Sequence, residues 1–252
     1  MSIHTIELGQ WVILAASAFA IGLSKTGLPG VGILVVPLLA LAFPAKASVG
    51  LLLPILIFAD LFAVGYYRRH GQWQHLAKLL PSAVAGIAIG YAVLSRISSE
   101  TLKPLIGIIV LVMLAIRLRS ILKSDPQQVP DHWSFAALMG LLAGATTMMA
   151  NAAGPVMVLY LLSMHFPKQK FIGTAAWFFF IVNWIKVPLM TNLDMITIES
   201  LKLDVMVFPA VVLGAFAGIW LLKRIPQRAF NIIALVLAAA AAVKLLLSVF
   251  GL

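Results

Sequence analysis

The chain of 252 residues contains no cysteine, which excludes disulfides and thiolate metal sites. Charge is scarce too: charged residues are 10% of the chain, against about 25% in ordinary soluble domains. Acidic residues are scarcest, with Asp and Glu totalling 8 against 18 Lys and Arg. The resulting net charge of +10 does not argue for nucleic acid, because membrane proteins concentrate Lys and Arg beside the cytoplasm. No basic segment precedes the first apolar run and no small-residue cleavage site follows it, so that run is expected to be structural and not a signal peptide. His4, His70, His75, His132 and His165 lack ligand spacing, and neither a metal nor a cofactor is expected.

Apolar sequence fills the space left by charge, at 62% of residues. Uncharged stretches run from Leu8 to Ser24, Thr26 to Ala45, Leu79 to Ser95, Trp133 to Met164, Val205 to Leu222 and Ala229 to Val243. Several approach the roughly 20 residues needed to cross the hydrocarbon, so the chain reads as an all-α polytopic membrane protein in contact with lipid. Helical segments are expected at 8–23, 31–43, 48–67, 79–95, 101–119, 134–149, 153–164, 171–190, 204–222 and 228–248.

The short segments flank two polar, glycine-containing breaks, one around Ser24-Lys25-Thr26-Gly27-Leu28-Pro29-Gly30 and one around Thr146 to Pro155. Irregular backbone at membrane depth is tolerated only where protein or a cavity surrounds it, and paired broken helices form transport sites. The breaks also recur in register. Phe43-Pro44, Gly50 and Asp60 match Phe166-Pro167, Gly173 and Asn183; farther on, Pro81, Gly86, Gly90, Arg96 and Ile97 match Pro209, Gly214, Gly218, Arg224 and Ile225. Two repeats follow, 8–122 and 133–249, each a broken or re-entrant helix pair followed by three transmembrane helices.

Charge placement orients them. If each broken pair returns to its own side, Arg68, Arg69, Lys78, Arg117, Arg119 and Lys123 share one side with Lys168, Lys170, Lys223, Arg224 and Arg228. Asp194 and Glu199 then fall opposite. Counting each pair as a single crossing would export several of those cations, against the rule that basic loops stay cytoplasmic. The preferred topology makes the repeats inverted and puts both termini outside.

Candidate binding residues lie in the breaks: Ser24, Lys25, Thr26 and Gly30 in the first, and Thr146, Thr147, Asn151 and Gly154 in the second. Pro29 and Pro155 are expected as structural helix breaks, since proline near a first helical turn needs no amide donor. Exposed amides and the positive end of a following half-helix favour an anion, and Lys25 would strengthen that preference. The competing reading has Lys25 snorkelling to the interface and the second polar cluster joining helices. Asp60, inside a span and mated to Asn183, is a candidate for proton coupling or for a structural hydrogen bond. Lys186 lies three residues past Asn183 on the same helical face. An interfacial position is its favoured reading, with anion attraction as the other. Trp177-Phe178-Phe179-Phe180 is expected to pack or face lipid.

Gly140 through Pro155 with Tyr160-Leu161-Leu162, and Gly22 through Gly32 with Val35-Val36-Pro37-Leu38-Leu39, resemble the paired signatures of the TauE/SafE sulfite exporters, also called the four-toluene-sulfonate-uptake permeases. By position, Gly30, Gly32 and Pro37 match the first motif, and Asn151, Gly154 and Pro155 the second. The stretch Ser24 to Pro29 departs from it, since many members carry more glycine there and no lysine. The resemblance implies a transporter of the bacterial cell inner membrane, multi-pass, with a small anionic substrate such as sulfite or sulfoacetate and no enzymatic activity. An anion channel would need a continuous polar pore, and a non-catalytic membrane subunit gives no reason for matching breaks.

Overall fold

The computed structural model describes residues 6–29, 31–98 and 132–226, with isolated positions 101, 108, 229, 232 and 236. Two expected crossings, 101–119 and 228–248, lie outside the described residues, as do Gly30, Arg117, Arg119, Lys123 and Arg228. The elements are α1 (Leu8–Thr26), α2 (Val31–Ala42), α3 (Ala45–Tyr67) with a single 3-10 turn at Arg68–His70, and α4 (Trp73–Leu94). They continue with α5 (Trp133–Ala150), α6 (Gly154–Ser163), α7 (Lys168–Asn192) and α8 (Ile198–Arg224). Among the described residues, 6 helices are long and apolar enough to cross a membrane: α1, α3, α4, α5, α7 and α8. The protein is a multi-spanning, all-α membrane protein.

Local sequence sets the helix ends. At α8 the Thr197 hydroxyl accepts from the Ser200 amide and the Ser200 hydroxyl accepts from the Thr197 amide, satisfying two donors that the first turn leaves free. Glu199 in its first turn and Lys223 and Arg224 in its last complement the helix dipole. Pro44 and Pro167 immediately precede α3 and α7, matching the repeat-related positions expected from sequence. Pro54, Pro81, Pro188 and Pro209 sit inside helices, as membrane-spanning helices tolerate.

Glycine sets the packing. A Cβ at Gly86 of α4 would strike the Leu141 carbonyl of α5, and one at Gly214 of α8 would strike the Phe19 carbonyl of α1. Both helix pairs run parallel, because contacts advance together: Gly86 faces Leu141 and Ala145 while Gly90 faces Ala145 and Met148. Close backbone approach through small residues is the main source of helix association where lipid removes the hydrophobic drive. The apolar residues left outside, Val84, Ile89, Leu138, Leu213 and Phe216, face outward as lipid-facing side chains must.

Helices α3 and α7 cross antiparallel at the centre, with Gly50 against Met195, Asp60 against Asn183 and Gly173 against His70. The ends of the helices sort onto two faces. On one, the Lys168 ammonium donates to the Leu222 and Ile225 carbonyls at 2.7 Å, and the Trp177 indole donates to the Arg68 carbonyl. On the other, the Gln10 amide donates to the Ala42 carbonyl at 2.8 Å, bringing the end of α2 back to the first turn of α1. Tyr160 of α6 likewise returns to His75 in the first turn of α4, with its hydroxyl 2.8 Å from Nδ1.

Gly214→Val should lower stability by about 1–3 kcal/mol, the usual cost of overpacking. Gly65 has nothing near its Cβ position, so Gly65→Ala should instead gain about 0.5–1 kcal/mol of helix stability. Unfolding of the purified variants in detergent measures both. Equal effects would refute the glycine-packing argument.

Candidate functional site at the two helix breaks

The breaks begin later than their polar residues suggest. Ser24, Lys25 and Thr26 form the last turn of α1, and Thr146 and Thr147 remain inside α5. Their hydroxyls explain why: Thr26 donates to the Gly22 carbonyl at 3.0 Å, and Thr146 to the Leu142 carbonyl at 2.7 Å, so each bonds to its own preceding turn without opening it. Thr26 also donates to the Ala215 carbonyl of α8 at 2.8 Å, and its own carbonyl accepts from the Tyr67 hydroxyl. Both threonines therefore hold helices and do not face the cavity described below.

Asn151 terminates α5 in a left-handed conformation with φ 52°, one that Asn tolerates better than most residues. Pro155 lies in the first turn of α6, as its missing amide allows. On the first break, the Ser24 hydroxyl accepts from the Gly32 amide at 3.0 Å, tying α2 back to α1.

A continuous polar chain joins the breaks. The Lys25 ammonium lies 2.7 Å from one Asp60 oxygen, and the other Asp60 oxygen accepts from the Asn183 amide at 2.7 Å. The Asn183 carbonyl oxygen accepts from the Lys186 ammonium at 3.1 Å. That ammonium also donates to the Thr147 hydroxyl at 3.1 Å and to the Asn151 side-chain oxygen. Asn151 completes the chain by donating to the Val49 carbonyl at 2.8 Å. Asp60, Asn183 and Lys186 are fully buried. Isolated charges at such depth cost several kcal/mol or more, whereas paired and hydrogen-bonded ones persist.

Lys186 thus differs from its favoured interfacial reading. Three neutral oxygens use all three of its donors, replacing the water an interface would have supplied. Phe179 is the residue that sequence reasoning missed. Its ring lies under the Lys25 ammonium at 4.0 Å from the centroid. The available signal was spacing: Phe179, Asn183 and Lys186, four and three residues apart, occupy one helical face.

A cavity of about 70 Å³ lies against this chain, several times the roughly 10–15 Å³ that one water needs. Ser24, Lys25 and Pro29 line it from the first break, and Thr147, Asn151 and Gly154 from the second. Gly32, Phe171, Phe179 and Asn183 also line it, and apolar side chains such as Ile21, Leu52 and Val158 form the rest of the wall. Gly32 and Gly154 bring the starts of α2 and α6 to the cavity, and helix starts favour negative charge. Lys25 and Lys186 against Asp60 add one net positive formal charge. A small anion suits all of these groups. Among the described residues no set of three His, Asp or Glu side chains is placed to hold a metal.

The profile of the family described as "Sulfite exporter TauE/SafE" matches residues 14–245, nearly the whole chain. The chain belongs to the TauE/SafE sulfite exporter family. No curated protein and no solved structure gives a match. Membership in TauE/SafE makes the protein a membrane transporter and not an enzyme, and the matched span contains both helix breaks.

Lys25→Met should destabilise the protein by about 3–5 kcal/mol by stranding the Asp60 carboxylate, and Asp60→Asn should recover most of that loss in the double variant. A double-mutant cycle of unfolding in detergent measures the coupling. Additive losses would show that the two side chains act independently.

Proposed function

We propose that the protein is a secondary transporter of small anions, sulfur oxyanions or organosulfonates such as sulfite or sulfoacetate, working by alternating access in a bacterial inner membrane. The observation that carries this reading is the convergence of both helix breaks on one cavity lined by the Lys25 ammonium, with Asp60 paired to Lys25 and Lys186 bonded to Thr147, Asn151 and Asn183 behind its wall. Ser24, Lys25, Thr147, Asn151 and Gly154 contact the anion in this reading. Thr26 and Thr146 brace the half-helices behind them, while Pro29 and Pro155 shape the breaks. Gly30 belongs to the same loop by sequence and lies outside the described residues.

Alternating access needs two arrangements of similar energy, which inverted repeats supply by symmetry. The antiparallel crossing of α3 and α7 through Asp60 and Asn183, 123 residues apart, supports two inverted repeats at 8–122 and 133–249. So does the exchange of partners between halves, α1 with α8 and α4 with α5. Each half would comprise a re-entrant pair and three transmembrane helices. The returns of α2 to α1 and of α6 to the start of α4 support hairpins dipping in from opposite faces.

One face gathers Arg68, Arg69, Lys78, Lys168, Lys170, Lys223 and Arg224, whereas Asp194 and Glu199 lie at the other, where α7 ends and α8 begins. The basic face is cytoplasmic by the charge rule, which puts both termini in the periplasm. An interior-negative potential then drives an anion outward at about 2.3 kcal/mol per charge per 100 mV. Export needs no further coupling, whereas import would draw on a gradient, with Asp60 as the proton-coupling candidate.

The natural absence of cysteine makes orientation testable without a background. Thr197→Cys should react with a membrane-impermeant maleimide in intact cells, and Arg69→Cys only after permeabilisation. The reverse pattern would invert the topology. Transport is tested with labelled sulfite and sulfoacetate in proteoliposomes, imposing membrane potential and pH gradient separately. Saturable flux is expected, lost in both Lys25→Ala and Asn151→Ala. Non-saturating flux would instead indicate a channel, and absence of flux under every gradient would refute the substrate assignment.

A further inference from the structure

We propose that Asp60 sets the valence of the anion the site accepts: by masking Lys25 it leaves the cavity matched to one negative charge and not to two. The proposal rests on the anion-carrier reading above and assigns a specificity-determining role within it.

The geometry separates the two lysines. Lys25 is held by a carboxylate at 2.7 Å, so its charge is balanced inside the protein. Lys186 is surrounded by the oxygens of Thr147, Asn151 and Asn183, which satisfy its donors without balancing its charge. The set therefore presents one uncompensated positive charge in a region of low dielectric. A monoanion brings the sum to zero. A dianion overshoots it and leaves a net negative charge buried, an unfavourable state where screening is weak. Of the two anions named above, sulfite therefore fits the site as hydrogen sulfite, and sulfoacetate, with both a carboxylate and a sulfonate, is the poorer ligand.

Contact and charge are also divided between the two lysines. All three donors of Lys186 are occupied, and it lies behind the side chains of Thr147, Asn151 and Asn183 that line the cavity. Lys25 lines the cavity directly and commits one donor to Asp60, leaving the others for a ligand. The anion thus touches Lys25 while Lys186 supplies the balancing charge from behind. Asp60 cannot readily swing away, because Asn183 holds its second oxygen at 2.7 Å and is itself oriented by Lys186. The arrangement of the three groups is consequently a fixed property of the site.

Methanesulfonate and sulfate make a suitable pair of probes, being tetrahedral anions of similar size whose charges, one and two, stay constant through neutral pH. Their binding is to be measured by isothermal titration calorimetry on the full chain in detergent. The wild type is expected to bind methanesulfonate at least about tenfold more tightly than sulfate, a conservative figure for one unbalanced buried charge. Asp60→Asn raises the formal charge by one and should move the ratio at least about tenfold toward sulfate. Lys25→Met combined with Asp60→Asn restores a single net charge and should again favour methanesulfonate, even if the single variant fails to fold. Sulfate bound as tightly as methanesulfonate by the wild type, an unmoved ratio in Asp60→Asn, sulfate preference in the double variant, or no binding of either anion would each overturn the proposal. Sulfite flux in proteoliposomes keeps the two readings apart. Shifted ratios without flux would refute the carrier alone, and flux with unmoved ratios would refute the valence role alone.

Discussion

A carboxylate buried at the crossing of two membrane helices constrains everything around it. Asp60 has no water to turn to, so each of its oxygens must find a donor from protein. Lys25 meets one as an ion pair from the end of α1, and Asn183 donates to the other from α7. That requirement ties the end of α1 and the Asn183 side chain of α7 to one point on α3. Because the Asn183 oxygen then faces Lys186, the constraint passes on to Thr147 and Asn151 at the far break.

Two kinds of packing share the membrane interior. The outer pairs, α1 with α8 and α4 with α5, are held by close backbone contact at glycine, which needs no polar group and no fixed charge. The centre adds the Asp60–Asn183 hydrogen bond across α3 and α7 and the Lys25–Asp60 ion pair that ties α1 to α3, both strengthened by the exclusion of water.

Much of this was legible in residue order. The repeat register paired Asp60 with Asn183, the two residues that a direct hydrogen bond joins, without assigning that bond. The glycines at 86 and 90, matched in sequence with those at 214 and 218, sit at close contacts between α4 and α5 and between α8 and α1, a role that the match alone did not assign. Other features were not legible. Threonine reads the same whether it opens a helix or bonds its own preceding turn, so Thr26 and Thr146 resembled Ser24 and Thr147 in sequence while pointing elsewhere. Phe179 looked like one aromatic among four, because nothing in a linear run says which ring will lie beneath a lysine.

Composition and spacing dictate a polytopic helical membrane protein with two glycine-containing breaks, since long uncharged runs have no other stable solvent and proline and glycine interrupt helices wherever they fall. The same information leaves the depth of Lys25 open, favours the interface for Lys186 and assigns neither a partner. Their partners come from segments distant in the chain, and Lys25 meets Asp60 only because α1 is packed beside α3 and α7. Whether a buried cation snorkels, pairs or waits for a ligand depends on which oxygens reach it in three dimensions, and those distances exist only once the helices have assembled.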